Sequence, residues 1–541
     1  MTHYDFCSRR SVVRCTGGMV ATSQPLAAQA GLDALKAGGD AVDAAVTAAA
    51  VLNVVEPIST GIGGDMFALV WRADEGKLYG LNGSGRAPAA ATLDAYYARG
   101  LTKHDPVPAV GPLSITVPGA LHGWDTLLAR WGQRTLADAL APAIRYAHDG
   151  YPVSELIAAA WANNAARMRQ FPDTARTYLF DNQPPHAGQV VRLPALGRSL
   201  ERIAAEGRDV FYHGALGQAI ADAVQAAGGL LTLDDLAAHR STWVTPIHST
   251  YHHHEIYECP PNGQGLAALL ALNIAATYNI RAMSAVDATH VLIEAMKLAF
   301  ADAHRYIGDP DKVEVPVEAL LSTAYTIERR QLINMAQAGD PTPGVPHPRP
   351  QRPEQMGADT VYLTVVDAAR NAVSFINSNY QGIGSGLVGG DTGIALQDRG
   401  AGFSLDPEHP NCLAPGKRPY HTIIPAMIMR HERPLYSLGV MGGPMQPQGH
   451  LQVAVNLIDM GMDPQRALDA PRFRVLGGKR VTLEAGTPEA VVKGLKQRGH
   501  EITPPRTPGS YGGGQLIHID PENGALAGGS DPRKDGCAVG Y

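Results

Sequence analysis

Asp359-Thr360-Val361-Tyr362-Leu363-Thr364-Val365-Val366 is the stretch of this 541-residue sequence on which the fold depends. Residues 360–366 are mostly β-branched or aromatic, which favours a strand. A turn signal covers residues 367–371, and a second β-prone run extends from Ala372 to Asn377. The two runs predict a hairpin that opens a β-rich carboxyl-terminal third.

The chain before this hairpin has a different character. Six of the thirteen residues in 341–353 are proline, so this connector is expected to join neither a helix nor a central strand. Upstream the pattern is mostly helical, beginning with helices over residues 24–36 and from Asp40 to before Pro57, and strands follow over residues 66–71 and 78–81. A further amphipathic helix, residues 136–147, is expected to be interrupted at Pro142.

The composition is that of a globular chain. Hydrophobic residues make up 45% and charged residues 18%, and the net charge is -6. No run of five Lys or Arg occurs, so we expect neither a nucleic-acid partner nor an anionic membrane, and a small molecule or peptide is the better candidate substrate. Five scattered cysteines do not form a disulfide framework. Without a signal-peptide pattern or a membrane-length apolar run, the sequence predicts a cytoplasmic protein.

Common catalytic and nucleotide-binding motifs do not occur in the sequence. It holds no G-x-S-x-G, no Walker loop and no H-E-x-x-H. Residues 384–389 match the letters of a dinucleotide fingerprint, but the glycines that follow cannot open the helix this motif needs, so we interpret them as a loop. The histidines at 248 and 252–254 lack a completing ligand shell, so no metal site is predicted there.

Thr360 is the candidate nucleophile. If the peptide bond after Asp359 is cut, the free α-amine of Thr360 has a reference pKa of about 7.7–8.0 and lies beside its own hydroxyl. It can then act as general base to the threonine, and no second base residue is needed. An Asp-Thr pair alone would indicate only a strand, so the interpretation depends on the rest of the sequence.

The whole sequence resembles the γ-glutamyltransferase (glutathione hydrolase) family of N-terminal-nucleophile hydrolases. The similar segments lie in order at Gly18 to Ala27, Gly61 to Asp65, Gly83 to Pro88, Asp359-Thr360, Asn371 to Val373, Pro415 to Pro419 and Gly442-Gly443. The resemblance implies an α+β fold, namely an αββα four-layer sandwich, and autocatalytic cleavage between Asp359 and Thr360. It also implies a heterodimer of a large chain, 1–359, which ends after the connector 341–353, and a small β-rich chain, 360–541.

The resemblance also implies roles for individual residues. The nucleophile falls on Thr360 and its supporting hydroxyl on Ser378. The oxyanion-hole N–H groups fall on Gly442 and Gly443, and the arginine for the substrate carboxylate falls on Arg86, whose forked guanidinium suits a carboxylate. Because the protein supplies every reacting group, no metal or organic cofactor is expected.

The acyl pocket departs from the family pattern. Two places that hold the acceptors of the substrate ammonium in the family hold Arg399 and Gly402 here, although a shift of one or two residues would bring in Asp398 or Gln397. The other residues of the changed pocket are Asn379, Tyr380, His421 and Thr422. A retained Arg86 without ammonium acceptors suits an acyl group that has a carboxylate and no amine, because an unpaired buried charge costs several kcal/mol.

The sequence therefore predicts a self-processing amidohydrolase that forms an acyl-enzyme, with hydrolysis favoured over transfer. The acyl group is γ-glutamyl, as in glutathione, or an amine-free carboxyacyl group, as in glutaryl amides or oxamate. The pattern of departures favours the branch that holds cytoplasmic glutathione hydrolase-like proteins, glutaryl acylases and oxamate amidohydrolase. A binding protein of the same fold that does not cleave itself is a third possibility.

Overall fold

Two seven-stranded sheets stacked face to face form the centre of the molecule in the computed structural model, which describes residues 10–344, 359–506 and 508–541. The first sheet has the order β19-β2-β10-β11-β3-β4-β7 and the second the order β1-β18-β17-β13-β12-β9-β8. Neighbouring strands in both sheets are antiparallel.

The strands are β1 Val13–Cys15, β2 Met19–Thr22, β3 Asp65–Arg72, β4 Lys77–Gly83, β5 Tyr151–Pro152, β6 Val190–Val191, β7 Thr242–Val244, β8 Ile247–Tyr251, β9 His254–Glu258, β10 Asp359–Val366, β11 Ala372–Tyr380, β12 Ala426–Arg430, β13 Arg433–Met441, β14 Phe473–Gly477, β15 Arg480–Leu483, β16 Glu501–Thr503, β17 Gly513–Ile519, β18 Leu526–Ser530 and β19 Cys537–Gly540.

The helices are α1 Pro25–Lys36, α2 Ala41–Val55, α3 Leu93–Tyr97, α4 Ala120–Trp131, α5 Leu136–Asp149, α6 Glu155–Met168, α7 Pro172–Tyr178, α8 Pro194–Glu206, α9 Asp209–Tyr212, α10 Ala215–Ala226, α11 Leu233–Ala237, α12 Gly265–Ala275, α13 Ala285–Tyr306, α14 Val317–Leu321, α15 Thr323–Arg330, α16 Met445–Ile458, α17 Pro464–Asp469 and α18 Glu489–Gln497. None of these described helices combines the length and the apolar character needed to cross a membrane.

Three apolar cores separate the layers and confirm the αββα sandwich. Helices α1 and α2 pack on the outer face of the first sheet, and α5 packs against α2; α12 and α16 pack on the outer face of the second sheet, and α13 packs against α12. The core between the sheets is formed by side chains of both, including Phe67, Tyr362, Ile376, Met427 and Ile517. Burying apolar area on both faces of each sheet holds the four layers together.

The predicted hairpin is present as β10 and β11, which are neighbours at the centre of the first sheet. Leu363 pairs with Phe375 and Val365 with Val373, and the register shifts between Asp359 and Val361. Such a bulge bends a strand and redirects its side chains. The bond predicted to be cut therefore lies at an irregular point of a central strand.

The first two helices also form as predicted. Asp40 caps α2, and its side chain accepts hydrogen bonds from the N–H groups of Val42 and Asp43. The expected interruption at Pro142 is wrong, because α5 continues through this residue. Its face around Ala139, Leu140 and Ala143 is buried against α2 and α8, and this packing outweighs the lost hydrogen bond. In the connector, residues 341–344 belong to no helix or strand, and residues 345–353 lie outside the described residues.

Candidate active site

Thr360 lies near the start of β10, and its side chain is buried. Residues 362 and 364 share one face of the strand, and Thr360 contacts Ser378, which lies on the same face of β11 as Ile376 of the core between the sheets. On that face Tyr362 joins the core between the sheets, and Thr364 Oγ1 donates to Ser437 Oγ of the second sheet over 2.6 Å. The Thr360 hydroxyl therefore faces the space between the two sheets.

Ser378 of β11 contacts this hydroxyl directly. Thr360 Oγ1 and Ser378 Oγ are 3.1 Å apart, and both side chains are buried. Ser378 Oγ also accepts a hydrogen bond from the N–H of Tyr380 over 2.8 Å. Tyr380 has a φ of 79°, an uncommon value for a residue with a side chain. A redirected backbone at the end of β11 thus holds the serine hydroxyl toward Thr360.

Arg399 adds a charge beside this pair. Its guanidinium is buried, and Nη1 donates to Thr422 Oγ1 over 2.7 Å while Nη2 lies 3.4 Å from Ser378 Oγ. The guanidinium carbon stands 4.0 Å from the centre of the Tyr380 ring, a cation–π contact. Burial lowers the pKa of Arg399 from its ordinary value. The residue at the altered ammonium position is therefore a cation that contacts the proposed catalytic serine.

His421, the residue before Thr422, forms a hydrogen bond with Asp65. His421 Nδ1 accepts from the N–H of Ile423, so Nε2–H is left to donate to Asp65 Oδ2 over 2.9 Å. Burial, with Arg399 nearby, lowers the pKa of His421 to about 3. The imidazole is therefore neutral near pH 7 and serves as a hydrogen-bond donor to the carboxylate.

Asp65 is a site residue to which the sequence analysis gave no role. Its Oδ1 accepts from the N–H of Gly85 over 2.9 Å and from Gln397 Nε2 over 3.0 Å. The signal that could have revealed it is its place at the end of the Gly61 to Asp65 segment. Asp65 starts β3, where it is the register partner of Ser378.

The glycines of this segment are required by close packing. A Cβ added at Gly63 would lie 2.0 Å from the carbonyl oxygen of Ala395, and one at Gly64 would lie 2.3 Å from that of Ser378. Real side chains do not approach so closely. The loop thus presses against the backbone that carries Ser378.

Gly442 and Gly443 form the turn between β13 and α16. Their φ values of 122° and 59° favour glycine. Gln264 Nε2 donates to the carbonyl oxygens of Gly443 over 2.9 Å and of Thr422 over 2.6 Å. Gln264, also absent from the sequence predictions, therefore ties the proposed oxyanion-hole turn to the residue that contacts Arg399.

Arg86 forms its ion pairs and hydrogen bonds with residues other than those around Thr360. Its guanidinium lies 3.2 Å from Asp309 Oδ2 and 2.8 Å from Asp311 Oδ2, and it also donates to the carbonyl oxygen of Gly416. Among the described residues it has no hydrogen bond to Thr360 or to the residues that contact it. The structure therefore does not bring Arg86 together with the threonine network.

The side chains of Asn379 and Asp398, also considered for the pocket, have no described hydrogen bond to Thr360, Ser378 or Arg399. Asn379 is buried against Gly64, and within the described chain its amide has no hydrogen-bond partner. Asp398 accepts from the N–H of Gln381 over 2.9 Å and lies 3.8 Å from Arg167, and burial raises its pKa to about 7. Of these two neighbouring residues, Arg399 and not Asp398 has a described contact with Ser378.

Stacked antiparallel sheets between two helical layers are the architecture of the N-terminal-nucleophile hydrolases, and this chain is a hydrolase of that type. The model of the gamma-glutamyltranspeptidase family matches residues 27–541. The chain belongs to this family, as the sequence resemblance indicated.

Three similar proteins show the range of the family around this chain. The crystal structure of a cephalosporin acylase from Bacillus halodurans has a TM-score of 0.93 and 47% identity, with 100% of this chain and 99% of the other covered. The glutathione hydrolase-like YwrD proenzyme of Bacillus subtilis (strain 168) is 38% identical, covering 97% of this chain and 98% of the relative. The oxamate amidohydrolase proenzyme of Klebsiella pneumoniae is 36% identical, covering 97% and 99%.

Proposed function

We propose that Thr360 is the nucleophile of a self-processing amidohydrolase. The observation that carries this proposal is the buried contact of 3.1 Å between Thr360 Oγ1 and Ser378 Oγ, in the space between the sheets. Cleavage between Asp359 and Thr360 would release the α-amine of Thr360. It would divide the precursor into chains 1–359 and 360–541.

The reaction then needs only groups of the protein, the substrate and water. The α-amine of Thr360 accepts the hydroxyl proton while the oxygen attacks the amide carbonyl. The N–H groups of Gly442 and Gly443 stabilise the oxyanion, where one donor is worth about 3–4 kcal/mol. The amine part of the substrate leaves with the proton, and the acyl group remains as an ester of Thr360. Water, activated by the same amine, hydrolyses the ester and restores the hydroxyl.

The proposed substrates are amides of short carboxyacyl groups. The names of the relatives cover both alternatives, since glutathione hydrolase-like proenzymes imply a γ-glutamyl group, while oxamate lacks an amine beside its carboxylate. We also propose a cytoplasmic location. The cysteines at 15, 259, 412 and 537 are free thiols, which is the usual state in that compartment.

The first experiment compares the intact masses of the purified wild type and Thr360→Ala. We expect two chains that meet at Asp359–Thr360 in the wild type and one uncut chain in the variant, because only the wild type has the attacking oxygen. Thr364→Ala is the matched control: it removes a buried hydroxyl from the same strand and should still cleave. An uncut wild type after long incubation would favour the non-catalytic binding protein.

A further inference from the structure

Arg399 is a buried cation that has no counter-ion among the described residues. Its hydrogen-bond partners are the hydroxyl groups of Thr422 and Ser378, and Nε has none. In the part of the chain that the structure describes, no carboxylate forms an ion pair with this guanidinium. Arginines buried to this degree are ordinarily paired, because an uncompensated buried charge costs several kcal/mol.

The two described carboxylates whose charges act on Arg399, Asp65 and Asp398, are already bonded elsewhere. Asp65 accepts from His421, Gly85 and Gln397. Asp398, the preceding residue, is bonded to the N–H of Gln381 and turned toward Arg167. The negative charges of Asp65 and Asp398 act on Arg399, but neither carboxylate has a described hydrogen bond to its N–H groups. Among the described residues the Nε–H of Arg399 has no partner, so the guanidinium keeps a donor for an anion from outside the chain.

We propose that Arg399 binds the carboxylate of the substrate's acyl group, and that it takes the role that the family pattern assigns to Arg86. This inference rests on the proposed function, since it places the acyl group beside Thr360. A guanidinium offers parallel N–H donors that fit a carboxylate, and the Tyr380 ring holds its plane from one side. The carboxylate completes the ion pair that Arg399 lacks.

The position of Arg399 also selects the acyl group. Its Nη2 contacts Ser378 Oγ, which in turn contacts Thr360 Oγ1, so the bound carboxylate lies close to the reacting carbonyl. An α-ammonium on the same acyl group would lie beside a buried guanidinium of like charge. The preferred substrates are therefore amides of short dicarboxylic acids without an amino group.

Arg86 is poorly suited to this task because its charge is already compensated. Asp309, which is fully buried, and Asp311 both pair with its guanidinium. A substrate carboxylate would have to compete with two carboxylates of the protein. At Arg399 the described hydrogen-bond partners are neutral hydroxyl groups, so no carboxylate has to be displaced.

The test uses three p-nitroanilides with acyl chains of equal length: glutaryl, γ-L-glutamyl and pentanoyl. The wild type should prefer glutaryl to pentanoyl by at least about 100-fold in kcat/KM, since only glutaryl pairs with the buried charge. In Arg399→Met this ratio should fall by at least about 30-fold, mainly through KM, and Arg399→Lys should retain part of it. The preference for glutaryl over γ-L-glutamyl should fall as well.

Arg86→Met provides the comparison that can overturn the proposal. If the glutaryl-to-pentanoyl ratio of kcat/KM is lost in Arg86→Met and kept in Arg399→Met, the substrate carboxylate is bound by Arg86 and the proposal is wrong. If Arg399→Met does not cleave itself, inhibition of the wild type decides the question. Glutarate should then bind at least about tenfold more tightly than L-glutamate and inhibit Arg86→Met as strongly as the wild type, and loss of glutarate binding in Arg86→Met would contradict the proposal. Failure of the proposed function is distinct, because the wild type would remain uncut and hydrolyse none of the anilides.

Discussion

Ser378 contacts both the proposed nucleophile and the unpaired arginine, so it is the residue whose removal best tests the geometry around Thr360. In Ser378→Ala we expect self-cleavage to slow and kcat to fall by about 10- to 100-fold, because the hydroxyl that orients Thr360 Oγ1 is lost. KM should change less, since Arg399 remains. Time courses of cleavage by mass spectrometry and steady-state kinetics measure both effects.

Ser374→Ala is the matched control for this variant. Ser374 is buried on the same strand, and its hydroxyl contacts Tyr362 and the carbonyl oxygen of Leu438 instead of Thr360. It should lower stability without the loss in kcat. Equal losses of kcat in the two variants would mean that Ser378 acts only through packing.

At the level of single residues, the sequence predicts part of this site. The structure brings Thr360 and Ser378 into contact, while their catalytic roles stay predictions. The pairing of Asp65 with His421 was not predicted, because the two residues are 356 positions apart and no local pattern links them. The ion pairs of Arg86 with Asp309 and Asp311 could not be predicted either, because a sequence motif gives the position of an arginine but not the residues that pair with it.

At the level of elements, the loop from Gly61 to Asp65 determines where Ser378 lies. Gly64→Ala would place a methyl group 2.3 Å from the carbonyl oxygen of Ser378, so strand β11 has to move. We expect this variant to lose self-cleavage and at least about 2 kcal/mol of stability. Mass spectrometry and thermal unfolding test the two parts separately.

Gly76→Ala is the control for the effect of a glycine substitution. Gly76 has a φ of 59° with nothing near its added Cβ, so the change costs about 1 kcal/mol and leaves cleavage intact. Normal cleavage by Gly64→Ala would show that the loop yields easily. It would remove the packing argument for this motif.

The elements themselves are largely predictable, but their partners are not. The hairpin of β10 and β11 follows from adjacent β-prone runs and the turn between them. The neighbours on either side, β2 and β3, come from distant parts of the chain. Strand propensity and turn residues are local properties, whereas the order of strands depends on how the apolar faces pack. The continuous α5 shows the same effect, since its packing overrides Pro142.

At the scale of the whole molecule, the two proposed chains share both sheets. In the first sheet β2, β3, β4 and β7 precede residue 359, β10 begins at it, and β11 and β19 follow. The second sheet is mixed in the same way. The cleaved product would thus be held together by strand pairing and by the core between the sheets, so maturation changes one peptide bond without separating the layers.

Buried histidines make this assembly sensitive to acid. Burial lowers the pKa of His122 to about 4 and the pKa values of His421 and His500 to about 3, and it holds the pKa of His239 well below the usual range. Unfolded histidines have a pKa of about 6.5. Below that pH the unfolded chain binds protons that the folded chain does not, so each histidine contributes stability that is lost as pH falls below about 6.5.

Asp398 changes the stability with pH in the opposite direction, so the net pH dependence follows from the balance of both kinds of group. Its pKa of about 7 means that the folded protein keeps a proton that the unfolded chain releases near 3.8, so its contribution is lost as pH rises between these values. Burial also raises the pKa of four other carboxyls, Asp40, Asp125, Glu258 and Asp302, and lowers that of three other histidines, His254, His290 and His518. Among the described residues seven histidines therefore oppose five carboxyls, at up to about 1.4 kcal/mol per pH unit each. We expect the Tm of the wild type, measured by thermal unfolding at constant ionic strength, to fall by about 5–10 °C between pH 7 and pH 5. His500→Gln should make the fall in Tm between pH 7 and pH 5 smaller, whereas the control His431→Gln, at an exposed turn, should leave it unchanged. A wild-type Tm that is constant or higher at pH 5 would contradict the assignment of neutral buried histidines.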